Sequence, residues 1–175
     1  MSLVERKILH TGKFLALIQE GHWEYAARVN ASGAVVIVAV TKERKLVLVE
    51  QYRIPVHSRT IELPAGIAGD EEGGAGEGLA GAAKRELIEE TGYTAGRLKI
   101  LTTGPSSSGL ASELITVLLA SGLRRIRAGG GIGHENITVH EVSLDEVHDW
   151  LAAKADAGLL IDSKVYAGLY FLGRR

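Results

Sequence analysis

The octapeptide RELIEETG, Arg85 to Gly92, carries four ionised side chains: Arg85, Glu86, Glu89 and Glu90. An α-helix turns about 100° per residue, so positions three and four apart share a face. With Leu87 set to zero, Ala83 lies at about −40°, Leu79 at about −80° and Ala82 at about −140°, the start of an apolar stripe. Glu90 at about −60° and Glu86 at about −100° fall inside that stripe, while Arg85 and Glu89 fall together on the other side. Acidic helix residues usually form a solvated face. Two carboxylates where a packing helix wants leucine are different, because a buried ionised Glu is costly unless it is paired or coordinates a metal. Residues that break the local pattern are where a functional site is expected.

Other residue types offer less. His10, His22, His57, His134, His140 and His148 are scattered, with no i, i+4 pair and no acidic partner at metal-motif spacing, so none is expected to ligate a metal. The glycine runs are not followed by Gly-Lys-Ser/Thr, which removes a phosphate-binding P-loop. Cysteine is absent, which excludes disulfides and thiolate metal sites and fits a cytoplasmic location.

The elements that must position the two carboxylates follow from pattern. β-rich runs occupy 14–19, 22–29, 33–40 and 45–53, the last two forming a hairpin about the polar TKER. RTIELPAG reads as a short strand stopped by Pro64 and Gly66, followed by a glycine-dense loop over 66–78 and the charged helix, which Gly92 terminates. Further strands are expected at 97–103, 113–120 and 137–142, separated by a Pro/Ser/Gly loop at 104–109 and a glycine loop at 128–133. SLDE at 143–146 reads as a capping box that opens a helix to about Ala155. Asp162 caps a last helix whose aromatic residues are expected in the core. The sum is one α+β domain of antiparallel or mixed strands with a few covering helices.

Bulk properties narrow the function. The chain has 175 residues, 46% hydrophobic and 23% charged, with a net charge of −1. It has no long basic run and no apolar run beyond Ala34–Val40, so nucleic acid and membrane are not expected as partners. No charged-then-apolar leader opens the sequence.

ELPAG upstream and RELIEETGY downstream of one loop resemble a Nudix hydrolase. Glu77, Arg85, Glu86, Leu87, Glu89, Glu90, Gly92 and Tyr93 match that family's signature in register. Gly66, the signature's first glycine, stands ten residues from Glu77 instead of five, so the loop between them is five residues longer than usual, a change of small entropic cost. VEQYR at 49–53 and ENITVHEVSLDEVHDWL at 135–151 resemble the ADP-ribose and nucleoside-diphosphate-sugar pyrophosphatase branch. Where that branch often carries Pro-Gly, this chain has Ser108–Gly109, which weakens ADP-ribose specifically and leaves nucleotide sugars open.

The resemblance implies a Nudix-type α/β/α sandwich with a mixed sheet. It also implies an N-terminal antiparallel sheet, with residues 1–32 as dimerising strands and 33–175 as the core of a single domain. It implies hydrolysis of a nucleoside diphosphate linked to a group X, giving a nucleoside monophosphate and a phosphorylated X. An ADP-ribose sensor and a housecleaning nucleoside triphosphate pyrophosphatase stay open as alternatives. Mg²⁺, or Mn²⁺, would be held by Glu86, Glu90 and the Ala65 carbonyl, with Glu89 assisting the metals or their waters. Such hard cations keep several waters, so a few oxygen ligands suffice. Gly66, Glu77, Arg85 and Gly92 would be structural, Arg85 orienting a neighbouring Glu. Arg53 would meet the diphosphate or a terminal phosphate, Glu113 the ribose, and Glu135, in the glycine-rich loop before the 137–142 strand, would be the general base. The small-molecule nucleotide is the expected partner, together with a second copy of the chain. Trp23 and Tyr25 would anchor that homodimer, with Arg28 near the other subunit's site.

Overall fold

The computed structural model describes residues 5–31, 33–69, 78–133 and 136–174. Three strands open the chain as an antiparallel sheet in the order β1 (Arg6–Thr11), β2 (Leu15–Glu20), β3 (Trp23–Arg28). In β2, Ala16 and Ile18 are buried while Leu15 and Leu17 are exposed, so period two gives this sheet an apolar outer face as well as an inner one. Strand β1 lies upstream of every run expected from the sequence; its six residues are all exposed and carry no alternation to read.

The principal sheet is built on β4 (Gly33–Val40) and β5 (Lys45–Arg53), the expected hairpin. It continues with β6 (Ser58–Glu62), which follows a 3₁₀ turn at Ile54–Val56, and β7 (Ala65–Ala68). After α1 (Leu79–Thr91) and the two-residue β8 (Tyr93–Thr94) come β9 (Arg97–Pro105) and β10 (Leu114–Ser121). A short β11 (Arg124–Arg125) pairs with β8, and β12 (Thr138–Ser143) pairs with β5. The chain closes with α2 (Val147–Asp156), β13 (Leu160–Ile161) and α3 (Ser163–Gly173). The sheet order is β13-β6-β5-β4-β10-β9, with β4–β10 and β13–β6 parallel and the other pairs antiparallel.

The fold is α+β, with helices on both faces of a mixed sheet. Val35, Ile37 and Ala39 of β4 pack against Ala82, Ala83 and Leu87 of α1. Val36 and Val38 pack on the other face with Val147 and Leu151 of α2 and Val165 of α3. Covered on both sides, β4 is a continuous apolar run without polar alternation. Among the described residues no helix is long and apolar enough to cross a membrane.

Three expectations need correction. The glycine-dense loop does not begin at Gly66: Ala65–Ala68 is a strand, because the N-terminal half of β4 leaves an edge that β7 fills, Val35 pairing with Gly66. SLDE forms no capping box. Ser143 is the last residue of β12, its hydroxyl accepts only the Asp145 N–H at 3.3 Å, and α2 starts after a turn with Glu146 at its N-cap and no side-chain cap. In α3, Tyr166 and Tyr170 are exposed, since the small and branched residues Val165 and Gly168 face the sheet; a Cβ on Gly168 would lie 2.9 Å from Leu63. Asp162 does cap that helix, accepting the Lys164 N–H at 2.8 Å.

Candidate active site

The site is built where the β-ladder changes partner. The C-terminal residues of β4, Ala39 and Val40, pair with β5, whereas Gly33–Val36 pair with β7, and Pro64 lies at the changeover with its carbonyl accepting the Ile37 N–H at 2.8 Å. Proline has no N–H to give, so the chain bends there from β6 into β7. The next amide, Ala65 N–H, donates to Glu90 Oε2 at 3.0 Å. Glu90, on the inward stripe of α1, is buried at 5% exposure, as its helix phase requires.

Glu86, one turn earlier, lies over Gly66. A Cβ on Gly66 would fall 1.9 Å from Glu86 Cδ, so only glycine lets the strand run beneath this carboxylate. Arg85 holds the arrangement from the side. It donates to Glu86 Oε1 at 2.9 Å, to Glu89 Oε2 at 3.2 Å and to the Ile67 carbonyl at 3.1 Å. Arg85 and Glu89 are therefore half-buried beside β7 and not on a solvated face. Gly92 ends the helix in the left-handed region at φ 76°, and a Cβ there would lie 2.1 Å from the Arg127 carbonyl.

These residues border a cavity of about 520 Å³. Glu62, Glu86, Glu90, Glu113 and Asp162 line it with Arg28, Arg53 and Lys164, five carboxylates against three cations, a surplus of two negative charges. The cations are matched one to one. Arg53 donates to Glu62 through Nε at 2.7 Å and Nη2 at 2.6 Å, Arg28 pairs with Glu113, and Lys164 pairs with Asp162. The Glu62 hydrogen bonds raise the Arg53 pKa above its usual value against the opposing effect of burial, and the charges of Glu90 and Asp162 add to the rise. Thr60 donates its hydroxyl to Glu62. Glu86 shares its partner Arg85 with Glu89, and Glu90 accepts the Ala65 N–H; the surplus is that of the described lining residues as a set.

The sequence-derived candidates sort accordingly. Ala65, Gly66, Glu86, Glu90, Arg53, Glu113 and Arg28 line one cavity. Arg28 lines the cavity of its own chain, brought there because β3 docks on the segment before β10: Ala26 N–H donates to the Leu110 carbonyl at 2.8 Å and Ser112 N–H to the Ala26 carbonyl at 3.0 Å. Glu89 stands beside the cavity. Glu77 and Glu135 lie outside the described residues. Sequence reasoning gave no role to Glu62, Thr60, Gln51 or Lys164. The usable signal was period two, since Thr60 and Glu62 are polar residues on one face of a buried strand.

The donor set suits a hard divalent cation: the side chains and backbone around Glu86 and Glu90 offer oxygen, with no histidine or sulfur among the lining residues. Among the described residues no three His, Asp or Glu side chains already converge on one metal position. Two carboxylates and a carbonyl are nonetheless enough for an ion that retains several waters.

The sequence pattern of the NUDIX domain matches residues 31–162. The methanol dehydrogenase activator of Bacillus methanolicus is 34% identical over 145 residues, 82% of this chain and 74% of that one. The ADP-ribose pyrophosphatase of Bacillus subtilis (strain 168) is 37% identical over 119 residues, 67% of this chain and 62% of the relative. A crystal structure of an ADP compounds hydrolase superposes with a TM-score of 0.75 at 19% identity, covering 97% of this chain and 90% of that one.

Proposed function

This chain belongs to the NUDIX domain family, and we propose that it hydrolyses the diphosphate of ADP-ribose or a nucleotide sugar, with Mg²⁺ or Mn²⁺. The observation that carries this reading is the pair Glu86 and Glu90, turned inward on α1 toward a cavity with two more carboxylates than cations. A bound divalent cation supplies the missing positive charge and acidifies water for attack on an anionic phosphorus.

The protein's own residues do the rest. Glu86, Glu90 and the Ala65 carbonyl would hold the metal, Gly66 leaves Glu86 its room, and Arg85 fixes the Glu86 and Glu89 carboxylates. Glu89 orients water beside the site. Two of the five N–H bonds of Arg53 are committed to Glu62, which fixes the plane of the guanidinium; its other donors meet the diphosphate. Glu113, steered by Arg28, accepts from a ribose hydroxyl. Glu135 takes the proton from the attacking water, and the glycines at 129–131 and 133 give its loop backbone freedom to close on substrate.

We also propose a cytoplasmic homodimer. The N-terminal sheet exposes Leu15 and Leu17 on one face and Ile8 and Trp23 on the other, apolar surface that a second copy would cover. A sedimentation mass equal to the 18.6 kDa of one chain at micromolar concentration would contradict the dimer.

The test of the activity is a panel of nucleoside diphosphate sugars, ADP-ribose and nucleoside triphosphates with product identification. ADP-ribose should give AMP and ribose 5-phosphate. Release of inorganic pyrophosphate from triphosphates, with ADP-ribose untouched, would favour the housecleaning alternative.

A further inference from the structure

The cavity extends well beyond the two α1 carboxylates. Gly66, beneath Glu86, pairs with Val35 of β4. Glu113 immediately precedes β10, one strand from β4, whereas Asp162 immediately follows β13, three strands away on the other side. The Glu113 and Asp162 ends thus lie on opposite sides of β4 in the sheet order. An extended nucleoside diphosphate with a group on its far phosphate spans such a groove, diphosphate in the middle.

The two ends differ in chemistry. Arg28 brings a planar guanidinium, a surface on which a base can stack, next to Ala34 and Ile115. On the other side Asp162 stands level with the end of β6, its N–H donating to the Ile61 carbonyl at 3.0 Å, and there is no aromatic ring among the lining residues. The Asp162–Lys164 pair is neutral as a whole, so it offers little to a further phosphate, but it presents a carboxylate acceptor and ammonium donors together. It is also preorganised: one Asp162 oxygen is fixed by the Lys164 N–H at 2.8 Å while the other meets the Lys164 ammonium. Neither side chain is fully buried, at 19% and 35% exposure, so a ligand can reach both.

We infer that this α3 end of the cavity is the subsite for group X, and that it takes an uncharged polyhydroxylated sugar. Asp162 accepts from neighbouring hydroxyls and Lys164 donates to another. Asp162 and Lys164 determine specificity and take no part in the bond-breaking step. The inference rests on the pyrophosphatase reading above.

The experiment compares two substrates that share one nucleoside diphosphate, ADP-ribose and the ethyl ester of ADP, with Mg²⁺. Wild type, Asp162→Asn and Lys164→Met are assayed. Asparagine keeps an N-cap acceptor for α3, so the helix survives the loss of charge; thermal melting checks both variants, and Lys164→Met carries the test if the other fails to fold. Wild type should favour ADP-ribose in kcat/KM, and each variant should reduce that preference about tenfold, through KM, since a hydrogen bond to a charged group has that weight. Equal losses on both substrates would overturn the inference, as would a change that follows the nucleoside when the sugar is kept constant. An inactive wild type on every diphosphate would instead remove the pyrophosphatase reading beneath it.

Discussion

Strand β5 separates two clusters of charge built to opposite rules. Its Glu50 faces the side of Leu46 and Leu48, and its Gln51 and Arg53 face the side of Val47, by period-two alternation. Around Glu50 the cations are in excess. Arg59 donates to it at 2.6 Å, His140 lies at 2.9 Å and Lys154 at 3.2 Å, with Lys154 over the Trp150 ring at 5.1 Å and His140 edge-on to that ring at 5.0 Å. Burial pushes the Glu50 carboxyl upward, but the Arg59, His140 and Lys154 hydrogen bonds outweigh it and hold its pKa at about 2. Among the described residues that line the cavity with Glu86 and Glu90, the carboxylates outnumber the cations. A charge cluster saturated from within is complete as it folds and serves stability. One left with surplus negative charge beside open space is completed by a cation from outside, and it is there that chemistry is expected.

The sharpest way to break this contrast is to remove the surplus. Glu90→Gln keeps an acceptor for the Ala65 amide, so the fold should persist while turnover of ADP-ribose falls about a thousandfold or more, the several kcal/mol a catalytic metal contributes. Near-normal kcat with a normal melting curve would show that Glu90 only caps an amide. Next in size, Glu135→Gln should lower kcat at least about a hundredfold with little change in KM or metal affinity, as expected for loss of a general base. A kcat within a fewfold of wild type would move that role to Glu89.

A smaller and cleaner perturbation is Gly66→Ala. The three atoms nearest the new Cβ all belong to the flexible Glu86 side chain, so the carboxylate is expected to move and the strand to stay. Activity should fall about tenfold to a hundredfold, the range seen when support for a metal ligand is disturbed, with the melting temperature nearly unchanged. Loss of fold with loss of activity would place the role of Gly66 in the strand itself.

Glu50→Gln probes the other side and should leave kcat within about twofold, because Glu50 lies outside the cavity. Its effect is on stability. A carboxyl whose pKa is lower in the folded than in the unfolded chain stabilises the fold above its ordinary value of 4.5, and that contribution is lost as pH falls toward about 2. The melting temperatures of wild type and variant should therefore differ at neutral pH and converge below pH 4.5. A constant difference down to pH 2 would contradict the saturated-cluster account.

Much of this was legible because it obeys local rules. Helix phase alone turned Glu86 and Glu90 inward, Gly92 marked the helix end, and Asp162 marked the start of α3. What escaped depends on residues far apart in sequence. Gly66 read as a strand stop because nothing nearby shows that the exposed half-edge of β4 would recruit Ala65–Ala68. Ser143 read as a cap because its pairing with Lys45 is invisible in SLDE. Glu62 had no assigned role until β5 placed Arg53 against it. Lys164, spaced as an ordinary helix residue, reaches the cavity only because β13 runs parallel to β6.

The central claim is that the α1 cluster, and not the β5 cluster, takes a divalent cation. Mn²⁺ titration of wild type, Glu90→Gln and Glu50→Gln, followed by the loss of the free-ion electron paramagnetic resonance signal, tests it without relying on turnover. The account predicts saturable binding in wild type and Glu50→Gln, greatly weakened in Glu90→Gln, with ADP-ribose hydrolysis abolished by excess EDTA. Unchanged Mn²⁺ affinity in Glu90→Gln, or full hydrolysis in EDTA, would contradict it.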